Sequence, residues 1–467
     1  MHKNGIFIVL CFVLIAALFC GCAGPTGSSA AATPTPEPTT TPKPTPKPTP
    51  TPKRDMSFMD GTWRDEVYRE GNSWVQFEVV IDTNAGTVSI NSITENERSV
   101  MSGDMKITEY GENYISAGGY VFTYLDGDLL DVNSALFTNP PLTRYSENTV
   151  NDAFGATLSG TLTYPVGFDK NTSKKVPVVL MVTGSGLQNR DEELFDHKPF
   201  AVWADYLAKH GIASLRYDDR GVGKSVGDVR NLTTYNNSLD ALAGVKCLKS
   251  LGLFDKVGVM GHSEGGTIAL MLAARPEREV DFIVSLAGTS IKGIEVLSEQ
   301  NYILLRMSGL SDQMAKDYCR ALTEVCEVRT GGSPYQADEA TLDALLKRME
   351  VQLSEAWKKN LLTVFQTPSP WLDFFSQYDP RKDIVNIHCP VMAVNGQLDA
   401  QVLPASNLGT LRELLPSNGQ TVIKEYKGLN HLFQHCTLGS VAEYNLIEET
   451  VSEEVLKDVA EWIARLK

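Results

Sequence analysis

A chain of 467 residues is too long for a single compact core, so two or three domains are expected. Its net charge of −15 argues against a nucleic-acid or anionic-lipid surface and fits plain solubility.

Lys3 precedes an apolar run from Ile6 to Cys20, then Gly21-Cys22. The run is too short to cross a bilayer comfortably. A basic start, an apolar middle and small residues give residues 1–22 the layout of a secretory signal. Phe19-Cys20-Gly21-Cys22 resembles a bacterial lipobox, with Phe19 where leucine is commoner. That resemblance implies lipid attachment at Cys22 and an extracytoplasmic protein held to the membrane; a plain secreted form or an uncleaved anchor is the alternative. Residues 23–54 are low in complexity. Repeats such as Thr45-Pro-Lys-Pro-Thr-Pro50 favour extended polyproline II, a spacer that buries no core. Outside the leader remain Cys247, Cys319, Cys326, Cys389 and Cys436, an odd and widely spaced set. They are expected as buried free thiols, although the compartment would permit a disulfide.

Residues 55–147 alternate as strands do: Trp74 to Ile81, Thr87 to Ile90, Tyr120 to Tyr124, with turns at Asn84-Ala-Gly86 and Asp126-Gly-Asp128. A meander or small barrel is expected, an accessory module without a catalytic grouping. From 148 to 467 the pattern changes to apolar strands alternating with helices, which predicts a largely parallel sheet covered on both faces. Strands are expected at Val176–Val182, Ile212–Tyr217, from Val257 into a turn, and at Phe282–Ala287. Helices are expected at Pro199–His210 and Ser238–Leu251. Residues 291–370 interrupt this rhythm. Met307, Met314, Tyr318 and Leu322, then Leu342, Leu345, Met349 and Leu353, recur at helical spacing, and the stretch is too long for a loop. It is expected as an inserted helical cap over the site. The core resumes at Asp379-Pro380, with strands at Cys389–Gly396 and Val422–Tyr426 and helices at Pro404–Leu415 and Glu453–Lys467.

Val257-Gly-Val-Met-Gly-His-Ser-Glu-Gly-Gly266 runs from a short apolar strand through Gly-x-Ser-x-Gly into a small-residue helix. A strained strand-to-helix turn of this kind lifts one serine, Ser263, clear of the sheet. A second match, Gly223-Lys-Ser-Val-Gly227, follows a charged loop with no apolar helix behind it, so Ser225 is expected to be a loop serine. A serine hydroxyl needs a base to take its proton, and the base needs an anion to orient it. Asp399 and His431 follow Ser263 in that order, each just past an expected strand. His435 competes with His431; Asp373, Asp379 and Asp383 compete with Asp399. His262 lies inside the elbow and is expected to point away. The backbone N–H of Glu264 is the first candidate oxyanion donor. The second comes from Thr183-Gly-Ser-Gly-Leu187, with Ser185 first and Leu187 second. Arg190, Asp191 and Glu192 are expected to hold that loop by ion pairs. No metal or nucleotide fingerprint is present, and no cofactor is expected.

From about Leu158 to Lys467 the chain resembles the α/β-hydrolase superfamily, specifically bacterial esterases of the serine aminopeptidase-like or dienelactone-hydrolase-like kind. The matching residues are Gly184 to Glu192, Asp218 to Ser225, Gly261 to Gly266, Asp399 and Gly428 to Gln434. Leu187-Gln-Asn stands where proline and aspartate are commoner. The resemblance implies a carboxylic ester hydrolase acting on small-molecule esters through an acyl-enzyme, with Ser263, Asp399 and His431 as triad. The alternatives are a peptidase or acyltransferase with the same triad, or a non-catalytic envelope binding protein on the same scaffold.

Overall fold

The computed structural model describes residues 59–466 except 60, 65–67, 71–72, 95–97, 112–113, 119, 126–128, 134–141, 146, 154–155, 166–167, 169–173 and 332–337. The leader, Cys22 and the Thr/Pro linker lie outside the described residues.

Among the described residues the N-terminal unit has nine strands: β1 (Gly61–Arg64), β2 (Tyr68–Glu70), β3 (Ser73–Asp82), β4 (Thr87–Thr94), β5 (Arg98–Tyr110), β6 (Tyr114–Ala117), β7 (Tyr120–Leu125), β8 (Leu129–Asn133) and β9 (Leu142–Tyr145). Consecutive strands from β3 to β9 pair antiparallel, and β1 pairs with both β9 and β3. That double pairing closes the meander into a barrel and leaves β2 as a flap on β3. Closure removes the exposed edges that a meander would present. Alternate residues of β3 and β4 (Val79 and Ile81, Val88 and Ile90) point inward around Trp63, whose indole N–H donates to Met59 O at 3.0 Å. Three of these strands, β3, β4 and β7, carry the alternation visible in the sequence.

The second sheet is built from β10 (Glu147–Ala153), β11 (Ala156–Thr163), β12 (Val176–Val182), β13 (Ala213–Tyr217), β14 (Val226–Gly227), β15 (Phe254–His262), β16 (Phe282–Leu286), β17 (Val391–Gly396) and β18 (Val422–Tyr426). Its order is β10-β11-β13-β12-β15-β16-β17-β18, with β11 antiparallel to β13 and every pairing from β13 to β18 parallel. Helices α1 (Pro199–Lys209), α2 (Thr234–Ser250) and α3 (Glu264–Ala273) follow successive strands. Along β12, Val178, Leu180 and Val182 face one helical layer while Val179 and Met181 face the other. Burial on both faces explains why these strands read as continuous apolar runs.

The insertion between β16 and β17 contains α4 (Gly293–Met307), α5 (Asp312–Gly331), α6 (Glu339–Arg348), α7 (Glu355–Gln366) and α8 (Pro370–Gln377). It outruns the expected end at residue 370. Pro370 opens a further helix at its first turn, and Ser369 caps it by accepting the Leu372 N–H. Tyr318, Leu322, Leu342 and Leu345 pack in the cap core as their spacing predicts, whereas Met307 and Met314 are exposed. A buried Arg329 ties α5 to α8 through Asp373, at 2.9 Å. The core closes with α9 (Arg381–Ile384), α10 (Pro404–Leu414) and α11 (Glu453–Arg465). All five described cysteines are free thiols; Cys319 and Cys326 are buried and the other three partly so.

Candidate active site

Ser263 stands where β15 ends and α3 begins, at φ 54° and ψ −118°, a region that side-chain-bearing residues rarely occupy. Its flanks must lack a Cβ. One built on Gly261 would lie 1.9 Å from Gly265 O, and one on Gly265 would lie 2.1 Å from Val182 O. The Ser263 N–H donates to Leu286 O at 2.9 Å, which pins the turn to the neighbouring strand. The first-turn N–H groups of α3 have no partner inside the helix and carry its positive dipole end toward the serine.

The loop after β12 forms the facing wall. A Cβ on Gly184 would meet the Ser263 Cβ at 3.2 Å. The Gly184 N–H donates to Glu192 Oε1 at 2.7 Å, so this amide is already engaged. Ser185, Gly186 and Glu264 line the same cavity as Ser263. Leu187 does not. The chain turns at Gly186 (φ 104°), and Asp219 Oδ2 then takes the Gln188 N–H at 2.8 Å and draws the loop away. The expected ion pairs are present: Arg190 grips Asp218 through Nη2–Oδ2 at 2.6 Å and Nε–Oδ1 at 3.0 Å, and Asp191 pairs with Arg216. Burial opposes ionisation of Asp218, but the Arg190 bonds and charge hold its carboxyl below the usual range.

Asp399 and His431 come together although 32 residues separate them. His431 Nδ1 lies 2.7 Å from Asp399 Oδ2, with both side chains buried. Asp399 Oδ1 accepts the Gln401 and Val402 N–H groups at 2.8 and 2.9 Å, which fixes the carboxylate. Asn430 folds the turn behind His431 by accepting the Leu432 and Gln434 N–H groups, each at 2.9 Å. His431 and Ser263 line one cavity. The competitors lie elsewhere. His435 is exposed and pairs with Glu449; Asp373 pairs with Arg329, Asp379 with Arg381, and Asp383 accepts from Tyr378. Ser225 is a buried loop serine whose Oγ donates to Asp218 O at 2.7 Å and accepts the Ser159 N–H at 2.9 Å.

Two features differ from the sequence expectation or extend it. His262 does not point away from the site: its ring lies 4.7 Å from the His431 ring, centroid to centroid, and it lines the cavity. Trp371, from the cap, also lines the cavity and donates to Glu264 Oε2 at 2.8 Å. Glu264 is fully buried. Burial raises its pKa, and the hydrogen bond from Trp371 partly opposes this. Only the fold brings Trp371 to Glu264, so no local sequence signal could have found the contact.

A sheet in this order, a serine on a strained strand-to-helix turn, and a His–Asp pair on the loops after two further strands define the α/β-hydrolase class. The chain belongs to the X-Pro dipeptidyl-peptidase (S15) family, whose sequence pattern matches residues 155–436. It is 26% identical over 311 residues to Esterase EstD of Thermotoga maritima, a match covering 66% of this chain and 66% of that one, so just under two thirds of that relative is spanned. Among solved structures, Est1E from Butyrivibrio proteoclasticus with ferulic acid bound is 20% identical, covering 68% of this chain and 100% of that one at a TM-score of 0.40. The Pyrococcus furiosus esterase Pf2001 is 16% identical, covering 68% and 90% at 0.41.

Proposed function

We propose that the protein is a serine esterase in which Ser263, His431 and Asp399 work as a triad. The observation that carries this is the 2.7 Å contact between His431 Nδ1 and Asp399 Oδ2 beside a cavity that Ser263 shares. Asp399 fixes the tautomer that leaves His431 Nε2 free to take the Ser263 proton. Ser263 Oγ attacks the ester carbonyl. The resulting oxyanion is held by the N–H groups of Glu264 and Ser185, at the positive end of α3. Collapse expels the alcohol, which takes the proton from His431. Water, deprotonated by the same imidazole, then releases the acid and restores Ser263.

The cavity encloses about 160 Å³ between Val296, Leu297, Trp371, Phe375 and Leu432. An apolar cavity of about 150 Å³ takes up benzene, so a short or single-ring acyl group matches this space. The name of the Thermotoga relative supports ester cleavage. The family description favours one second reading, a peptidase with the same triad. Fluorophosphonate labelling tests the shared mechanism: an adduct at Ser263, with aryl esters cleaved in preference to aminoacyl arylamides, supports the esterase. The reverse preference supports the peptidase, and no adduct overturns both. In the same reading Cys22 carries the lipid that anchors the protein outside the cytoplasm; globomycin sensitivity of its processing checks that part.

A further inference from the structure

We infer that His262 is a buried imidazolium whose two N–H groups lock the Gly184 turn and the His431 loop into register with Ser263. This rests on the reading of Ser263 and His431 as nucleophile and base, and it assigns His262 and Glu192 as positioning residues for that pair.

The inference follows from what faces the ring. His262 Nδ1 is 2.9 Å from Glu192 Oε1, and Nε2 is 3.0 Å from His431 O. Both partners are acceptors. A carbonyl oxygen has no proton, and Oε1 already accepts the Gly184 N–H at 2.7 Å. A neutral imidazole has one N–H and one lone pair, so it would turn a lone pair on one of these oxygens. Against an ionised Glu192, only the doubly protonated ring satisfies both. Its charge is balanced by Glu192, itself only 1% exposed.

The groups around the ring favour the same state. Burial lowers the pKa of His262, but the Glu192 charge and hydrogen bond, the His431 carbonyl and the Asp399 charge outweigh it and raise the pKa above the ordinary imidazole value. The His431 ring is the remaining titratable neighbour across the contact. Glu264 is the titratable neighbour on its own turn, and the Asp219 carboxyl interacts with Glu192 through charge.

One side chain therefore joins three loops. Glu192 holds Gly184 just before Ser185, His262 immediately precedes Ser263, and the His431 carbonyl belongs to the base itself. Glu192 sits at φ 53°, a strained backbone that such a bonded cluster can hold in place. Loss of the ring proton removes one of the two hydrogen bonds and leaves a buried carboxylate without its cation. The oxyanion donor and the base then lose their mutual register, a loss that falls on kcat.

The test is direct. In the full-length chain labelled with ¹⁵N-histidine, the resonances absent from His262→Gln belong to His262. At neutral pH both of its ring nitrogens should carry protons; a single N–H beside a bare nitrogen overturns the inference. The kinetic arm uses Glu192→Gln, which keeps an acceptor for Gly184 and removes the charge. The alkaline limb of kcat on an aryl ester should move to lower pH, with about a tenfold loss at a fixed alkaline pH per unit of movement and KM little changed. An unmoved limb counts against it. If Glu192→Gln does not fold, the resonance measurement decides alone. Fluorophosphonate labelling of the unsubstituted chain separates the two failures. An adduct at Ser263 with a neutral His262 sinks only this inference, and no adduct sinks the reading beneath it.

Discussion

Trp371 Nε1 donates to Glu264 Oε2 at 2.8 Å, which joins the last cap helix to the residue that follows the elbow serine. The contact puts a cap side chain and a buried carboxyl on the same wall of the cavity, so the cap is part of the site and not only a cover for it.

Glu264 gives the first prediction. Its folded-state pKa is raised, first by burial, so the folded chain keeps this proton to higher pH than the unfolded chain does. Its contribution to stability is fully present below the unfolded carboxyl pKa, about 4.3, and is lost as pH rises through the folded value. Glu264→Gln keeps an acceptor for Trp371 and removes the titration. The variant should gain in Tm relative to the parent as pH rises from about 4 toward 8. Thermal unfolding across that range checks it, and a constant gap would contradict it.

The two Gly-x-Ser-x-Gly serines should separate cleanly. Ser263→Ala should lower kcat on an aryl ester by on the order of 10⁴-fold or more while the fold stays intact. Ser225→Ala removes a buried hydroxyl with two backbone partners, so it should cost roughly 1–3 kcal/mol of stability and keep the chemistry. Activity assays beside denaturant titrations check both. A fully active Ser263→Ala would show that another serine attacks.

The elbow is legible in the sequence because its requirement is local: two missing Cβ atoms, an apolar strand before and small residues after. The parallel strands are legible because both faces are buried. β5 is not. In Arg98–Tyr110 only Met105-Lys-Ile-Thr108 alternates, with Met105 and Ile107 against the barrel core, while Val100 and Met101 are exposed, so the period of two is too short to mark the strand. The barrel's closure is equally hidden, since it depends on β1 pairing with strands far along the chain. Within the site, Asp399 and His431 are found by order and by strand ends. Glu192 is read only as a loop charge, because its partner His262 lies 70 residues away and the direction of that ring is a tertiary fact.

Acyl selectivity follows from the walls. Val296, Leu297, Trp371 and Phe375 come from the cap and are backed by its own packed core. A long chain must displace them, and overpacking of this kind costs about 1–3 kcal/mol. For p-nitrophenyl esters, kcat/KM should fall about tenfold or more from butanoate to decanoate. Trp371→Ala should narrow that difference. A flat profile in the parent would mean that the acyl chain lies outside this cavity.

The cap's own integrity hangs on Arg329. Its side chain is fully buried, donates to Asp373 Oδ1 at 2.9 Å, and reaches the Phe365 and Thr367 carbonyls at 3.2 and 2.9 Å. It thereby ties α5 to the end of α7 and the start of α8. Asp373→Ala leaves this guanidinium in the cap core without its anion, a change that costs about 3–5 kcal/mol. Replacing both partners, as in Arg329→Met with Asp373→Leu, removes the charge as well as its partner and should cost much less. Trp371 stands two residues before Asp373 on the same helix, so loosening α8 should also free Trp371 from Glu264 and open the acyl wall. Asp373→Ala should therefore lower the urea midpoint and raise KM for a short aryl ester, with the double variant near the parent in both. If Asp373→Ala unfolds like the parent, the ion pair does not hold the cap together. If it loses stability at unchanged KM, the cap's packing and the substrate wall are independent.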